Sequence, residues 1–256
     1  SDMDGDGLVD IVCGASVNSD IGWYKNLGAG EFGPFDIIVS HEEALYTDME
    51  TVDIDGDGDL DIFFADNLWG AKRVAWLENL GDGSFSDELE VPGFSGDPED
   101  IDFFDFNGDG YQDLLLITTT RLVYYQNDGS GELVLGEYIE VIDGVGNFGR
   151  TCDAADIDGD GDLDVLLGMQ ADGLDQVKIY ENTGGAFEEI GSKYVDNPRS
   201  IKSADIDGDG DQDIIILQIS DDEVVWLENI GGIFTSASIL ASIDNPIDLN
   251  LSLIHI

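Results

Sequence analysis

The sequence predicts an all-β chain: a β-propeller of four-stranded antiparallel blades, with about five blades present. Three observations carry this. A nine-residue acidic pattern, D-x-[DN]-G-D-G-x-x-D, occurs at Asp2–Asp10, Asp53–Asp61, Asp105–Asp113, Asp156–Asp164 and Asp205–Asp213, with starts 51, 52, 51 and 49 residues apart. After each copy comes a stretch with aromatic or apolar residues, then Asn (26, 79, 127, 182, 229), then Gly two residues later (28, 81, 129, 184, 231). The runs between these patterns are short, β-branched and aromatic, and none carries a 3.6-residue period. A repeat of about 50 residues holding four short strands has the size of one propeller blade, whose two apolar faces only neighbouring blades can cover.

The strands of a unit follow in order. An apolar residue stands four positions before each complete loop, at Met49, Ile101, Cys152 and Ile201, and predicts an incoming strand. After each loop runs an apolar segment such as Ile62-Phe63-Phe64-Ala65, Leu114 to Ile117, or Ile214 to Leu217. These are too short for helices and apolar on both sides, as in a strand buried on both faces. A third strand carries the aromatic residue before the Asn. The Asn-x-Gly stretch reads as a tight turn because Gly tolerates positive φ. A fourth strand follows, as at Glu88–Val91 and Glu137–Val141. Helix-pair solenoids fail for want of helices. WD-type propellers fail for want of Gly-His and Trp-Asp signatures, and nonapeptide β-helices fail on period.

Composition narrows the function. The chain has 256 residues, with 57 acidic against 9 basic side chains and a formal net charge of −48. That excludes nucleic-acid binding through phosphate contacts and attraction to an anionic membrane surface. Apolar runs of about four to five residues leave no segment for membrane insertion as a helix. Hydrophobic residues at 42% and aromatics at 9% supply a core. Cys13 and Cys152 fall at repeat positions that elsewhere hold larger apolar residues, so they read as small buried hydrophobes, not as a disulfide framework.

The acidic loop is the strongest chemical signal. In the second copy Asp53, Asp55 and Asp57 offer side-chain oxygens, Asp59 its backbone carbonyl, and Asp61 a closing carboxylate. Gly56 and Gly58 allow the turn that gathers them. Carboxylates packed this tightly repel one another unless a cation sits among them. An all-oxygen shell of flexible number favours Ca²⁺ over Zn²⁺, and suits Mg²⁺ less. An EF-hand would need Glu at the twelfth position, but Cys13, Phe64, Leu116, Leu167 and Ile216 stand there.

Together with turns such as WLENLGDGSF from Trp76, these loops resemble FG-GAP/VCBS-type repeats, related to those of the integrin α-subunit propeller. The resemblance covers nearly the whole chain. It implies that each loop joins the first two strands of a blade and binds calcium, up to five ions in all. Carried over position by position, the side-chain ligands would be Asp2, Asp4, Asp6 and Asp10; Asp53, Asp55, Asp57 and Asp61; Asp105, Asn107, Asp109 and Asp113; Asp156, Asp158, Asp160 and Asp164; and Asp205, Asp207, Asp209 and Asp213. The carbonyls would come from Leu8, Asp59, Tyr111, Asp162 and Asp211. Asn107 leaves the third loop one negative charge short, so that loop is expected to bind most weakly. Sites of this kind fill in calcium-rich surroundings, which points to a secreted or cell-surface protein. Ten positive charges set against −48 would still leave −38.

The chain is expected to be a propeller fragment over residues 1–250, cut from a parent with seven blades. Its first loop lacks an incoming strand, and Leu249 takes the apolar slot of a further one. The last residues, Leu251–Ile256 (LSLIHI), match the translation of a transposase sequencing adapter and are expected to be non-native. Acidic loops and Asn-Gly turns share one face of such a propeller. The opposite face carries varied loops: 41–46, 67–70, 93–99, 147–150 and 170–176. Function is expected there, as binding of a glycan or protein ligand. Trp69, Phe148 and Arg150 are the candidate ligand contacts, each weighed against simple packing within its own loop. Trp23, Trp76 and Trp226 are core by repetition. With His41 flanked by Glu42 and Glu43, no nucleophile–base pair is visible, so a non-catalytic binding or adhesion module is expected. The alternative is the propeller of a secreted carbohydrate-active enzyme, of polysaccharide lyase or sugar dehydratase type.

Overall fold

A computed structural model describes residues 1–15, 19–68, 71–142, 148–170, 175–244 and 249. Among them there is no helix. The first sheet holds three strands in the order β1 (Ile11–Ala15), β2 (Asp20–Gly28) and β3 (Glu31–Ser40). The second runs β4 (Tyr46–Val52), β5 (Asp61–Leu68), β6 (Ala71–Leu77) and β7 (Leu89–Glu90). The third comprises β8 (Pro98–Phe104), β9 (Asp113–Thr118), β10 (Arg121–Gln126) and β11 (Val134–Val141). The fourth comprises β12 (Phe148–Ala155), β13 (Asp164–Gln170), β14 (Gln176–Asn182) and β15 (Phe187–Tyr194). In the fifth, β16 (Pro198–Ala204), β17 (Asp213–Gln218) and β18 (Glu223–Leu227) are followed by the small hairpin of β19 (Asn229–Ile230) and β20 (Ile233–Phe234), and then by β21 (Ser238–Ser242), which pairs with β18. Chain order and sheet order coincide in all five, the meander that the repeat predicts.

The strand after each acidic loop is the most buried. Ile62 to Ala65 on β5, Leu114 to Ile117 on β9 and Ile214 to Leu217 on β17 are closed to solvent on both faces, as their unalternating apolar runs require. Register fixes which end of a sheet carries what. On β4 and β5, Val52 faces Asp61 beside the loop and Tyr46 faces Asp66 at the far end. On β5 and β6, Ile62 faces Leu77 while Leu68 faces Ala71. The acidic loop and the Asn-x-Gly turn therefore lie at one end of the second sheet, and residues 41–45 with Leu68 at the other.

The chain forms two compact units, Ser1–Phe103 with Tyr111–Leu116 and Tyr125–Leu135, and Phe104–Gly110 with Ile117–Tyr124 and Gly136–Ile256. In the first, Met3, Ile21 and Trp23 of the first repeat share a core with Ile62, Phe64, Ala75 and Leu77 of the second. In the second, Leu166, Val177 and Ile179 of the fourth repeat share one with Ile201, Ile214 and Ile216 of the fifth. Each core is thus built between consecutive sheets, which is how a blade covers its apolar faces. Leu249 packs against Ile215, Leu217 and Val224.

One expectation fails in part. Cys152 is buried, but Cys13 is only half-buried. Among the described residues the first sheet has no strand beyond β1, whereas β5 and β13 are flanked by β4 and β12. Neighbouring Ile11 is exposed for the same reason, while its counterpart Ile62 is not. Residues 251–256 lie outside the described part of the chain.

Candidate metal centre

Each acidic loop is a turn held by its own carboxylates. The first Asp accepts a backbone hydrogen bond from the Gly five residues on in all five copies: Gly7 to Asp2 at 2.8 Å, Gly58 to Asp53 at 3.1 Å, Gly110 to Asp105 at 2.9 Å, and Gly161 to Asp156 and Gly210 to Asp205 at 3.2 Å. Both glycines of the second loop have positive φ, 73° at Gly56 and 98° at Gly58, where a side chain would be strained. In the loops at 53, 105, 156 and 205 the Asp or Asn at the third position accepts from the residue two on, as Asp55 does from Asp57 (3.2 Å) and Asn107 from Asp109 (2.9 Å). The amide of Asn107 therefore keeps the loop's turn geometry while removing a charge.

These turns bring carboxylates together. One oxygen from each of Asp2, Asp4 and Asp6, from each of Asp53, Asp55 and Asp57, and from each of Asp205, Asp207 and Asp209 lies within 4.8 Å of its companions. In the fourth loop the group is Asp156, Asp158 and the buried Asp164. The Oδ1 atoms of Asp4 and Asp53 are buried without a hydrogen-bond partner. A buried carboxylate oxygen lacking a donor is costly unless a cation reaches it. The donor set is all oxygen, so these residues fit a calcium ion.

The fourth acidic position has a second task that the sequence reading missed. Asp61, Asp113, Asp164 and Asp213 are fully buried, and Asp10 nearly so. One oxygen accepts the N–H of the repeat's Asn: Asn26 to Asp10 at 2.7 Å, Asn79 to Asp61, Asn127 to Asp113 and Asn229 to Asp213 at 2.8 Å, and Asn182 to Asp164 at 2.9 Å. The other oxygen of Asp10, Asp61, Asp164 and Asp213 accepts the N–H of the loop's second residue, as from Met3 (2.8 Å) and Ile54 (3.0 Å). Each oxygen retains a lone pair for a cation.

The Asn side chain then reaches into the preceding repeat. Asn79 Nδ2 donates to the carbonyl of Met3 (3.0 Å), Asn127 to Ile54 (2.9 Å), Asn182 to Phe106 (2.8 Å) and Asn229 to Ile157 (2.8 Å). The same amides also hold Leu60, Gln112, Leu163 and Gln212 of their own loops, at 3.0–3.2 Å. Asn26 binds only Val9 in this way. The turn glycine has a further reason to lack a side chain. A Cβ on Gly129 would stand 2.2 Å from the Tyr111 ring, and one on Gly81 would stand 2.3 Å from Asp59. Tyr111 and Asp59, expected as carbonyl donors, thus also pack their side chains on the turn. Asp211 accepts a bond from Gly231 N–H (2.7 Å), Leu8 lies near Gly28, and Asp162 N–H is held by Asp160 at 2.9 Å.

Burial pushes the carboxyl of Asp61 up from 3.8 to about 7; the Asn79 and Ile54 donors oppose this, while Asp55 and Asp57 reinforce it. Burial also raises Asp164 and Asp55, with neighbouring carboxylates adding to it. A folded-state pKa above the unfolded one favours the fold while the group is protonated. That contribution is complete below about pH 3.8 and is lost as the pH rises through about 7. Without divalent ions, the melting temperature is therefore expected to fall between pH 4 and 7, and Asp61→Asn to flatten that slope. A metal-free melting temperature that climbs over this interval would contradict the assignment.

At the other end of the sheets, Phe148 and Arg150 open β12. Arg150 lies 5.4 Å over the Phe148 ring and donates to Gln170 at 2.8 Å. They are paired with each other, within one blade. Trp69 lies outside the described residues, as do 147 and 171–174. Trp23 and Trp76 are buried, Trp226 half-buried. His41 has partners that its sequence neighbours did not disclose. Its Nδ1 meets Tyr46 Oη at 2.6 Å and its Nε2 meets Glu88, which also takes Arg73 at 2.7 Å. Burial, then Asp66, pushes the Tyr46 hydroxyl up to about 12, so it keeps its proton at neutral pH. A cleft of about 630 Å³ in the first unit is lined by Asp55, Trp76, Glu90, Pro92, Gly131 and Leu133. Asp55 of an acidic loop lines it, and none of residues 41–45 does. Trp76 is only 5% exposed there, its ring stacked on Phe63 with centroids 5.6 Å apart.

Among curated protein sequences nothing matches the chain. Solved structures do. An Agrocybe aegerita lectin, described with its recognition of non-reducing terminal N-acetylglucosamine, superposes with a TM-score of 0.62 at 23% identity, over 94% of this chain and 65% of the lectin. The periplasmic gluconolactonase PpgL of Pseudomonas aeruginosa gives 0.68 at 12% identity, over 97% of this chain and 71% of its own. The V. cholerae biofilm matrix protein Bap1 gives 0.53 at 20% identity, over 93% and 38%. At such identities the likeness is one of fold, the β-propeller. The family model of the FG-GAP-like repeat matches residues 2–64, 53–116 and 105–167, more than half of the chain and four of the acidic loops. With loop, turn and sheet order repeating together, the chain belongs to the FG-GAP-like repeat family, and its fold is a β-propeller of four-stranded antiparallel blades.

Proposed function

We propose that the chain is a calcium-fastened, non-catalytic binding or adhesion module of a secreted or cell-surface protein. The observation that carries this is the second loop. There Asp53, Asp55 and Asp57 converge within 4.8 Å, and Asp53 keeps a buried oxygen without a donor. Calcium bound there would supply positive charge among carboxylates that otherwise repel, fixing β4 to β5. The four side chains at the alternating and closing positions of each loop would hold the ion, the last of them also tying the loop to the Asn, and the glycines shape the turn. Asn107 replaces one charge in the third loop. Weak extracellular-type sites fill at roughly 10⁻⁴–10⁻³ M calcium, which suits a location outside the cell. The varied loops opposite the acidic ones would meet a glycan or protein. The lectin and matrix-protein neighbours support that choice by analogy of fold only.

Glycan and protein arrays probed in millimolar calcium are expected to give hits that EDTA abolishes. Arrays blank in both conditions would count against a ligand-binding role. The carbohydrate-active enzyme remains a second reading on one observation, the His41–Tyr46–Glu88–Arg73 cluster. Were it correct, acidic polysaccharide incubated with the chain would gain ultraviolet-absorbing unsaturated ends, and His41→Ala would stop it.

A further inference from the structure

We propose that Lys25 is a built-in cation of the first loop and holds its calcium affinity below that of the loops at 53, 156 and 205; this rests on the calcium reading above. Lys25 Nζ, on β2, pairs with Asp4 and lies 3.0 Å from Asp6 Oδ2. Those carboxylates belong to the group that Asp2, Asp4 and Asp6 form. The sequence points the same way independently. The residue directly before the repeat Asn is Glu78, Gln126, Glu181 and Glu228 in the other four blades. Only the first blade places a positive charge there, in a chain with nine basic residues in all.

The consequence follows from Coulomb's law. A divalent ion entering the first loop needs oxygens that the ammonium already holds. It must displace Lys25 and then tolerate a like charge nearby. Lys25 is 39% exposed and can swing into solvent, so the loop is hindered, not closed. Asp4 Oδ1 stays buried without a partner even with Lys25 in place, so one lysine does not satisfy the site. A penalty of about tenfold or more in affinity is expected from a unit charge at such range in a partly solvated site.

Equilibrium dialysis of Ca²⁺ against the full chain and its Lys25→Gln variant tests this, Gln being the residue of the third blade. The variant is expected to bind one ion about tenfold more tightly than wild type, and adding Asp4→Asn is expected to remove that gain. Melting curves give a second readout. Metal-free Lys25→Gln should melt below wild type because two carboxylates lose their partner, and saturating calcium should erase or reverse that order. Superimposable isotherms from two proteins that both bind calcium would overturn the proposal. So would an equal melting deficit with and without calcium. If neither protein takes up calcium, the metal reading itself falls and this inference with it.

Discussion

Chelation of divalent ions is expected to lower the melting temperature of this chain by about 10 °C or more, with Ca²⁺ restoring it better than Mg²⁺. The size follows from mass action. One site at free calcium about 100-fold above its Kd contributes roughly 2.7 kcal/mol, and 1 kcal/mol moves the melting point of a chain this long by roughly 2–4 °C. Two filled sites already reach the expected shift. Calcium should win because its shell accepts six to eight oxygens at flexible distances, whereas Mg²⁺ demands a near-ideal octahedron and keeps its waters. The pH dependence should reverse as well. Without metal, Asp61 disfavours the fold once it ionises, while calcium requires the ionised form. The calcium-induced rise is therefore expected to grow from pH 4 to 7. Identical melting curves in EDTA and in millimolar calcium at neutral pH would remove the metal from this account.

Asn229→Ala is expected to cost about 3 kcal/mol and to lower the melting temperature by about 6–12 °C. Asn229 is fully buried. Its amide holds the carbonyls of Ile157 and Gln212, and its Oδ1 accepts from Gly232 at 2.8 Å. Truncation strands all three groups away from water, at roughly 1–3 kcal/mol for each that finds no new partner. Asn229→Asp tests the donor separately, since it keeps the size but loses both N–H bonds. Asn26 supplies the internal control. It is half-buried, its Oδ1 accepts from Gly28 at 2.9 Å and its Nδ2 donates to Val9, with no bond to another repeat among the described residues, so Asn26→Ala should cost less than half as much. Equal losses for the two substitutions would show that the bond to the preceding repeat contributes nothing.

The five asparagines show how far the sequence could be read. Their repetition marked a turn, and the turn is there: Asn79 Oδ1 accepts the Gly81 N–H at 3.1 Å. The bond from Asn79 to Met3 spans 76 residues of sequence, and nothing in the local pattern announces it. The same holds for His41. Glu42 and Glu43 beside it suggested no catalytic group, while its partner Glu88 stands 47 positions away. Cys13 was misjudged because a repeat position predicts burial only where the flanking strand exists.

What the sequence determined by itself is everything the repeat encodes locally: the meander of strands, the doubly buried central runs, and the carboxylates alternating around paired glycines. These depend on residues within about ten positions of one another, so side-chain periodicity and backbone preference suffice to specify them. Only the tertiary structure decided which oxygens lie buried without a donor, which Asn clasps the preceding loop, and where the Lys25 ammonium rests. Those features arise when one sheet docks on the next and when a strand folds back beside its loop, and burial then turns an ordinary Asp or Asn into a group that must be paired.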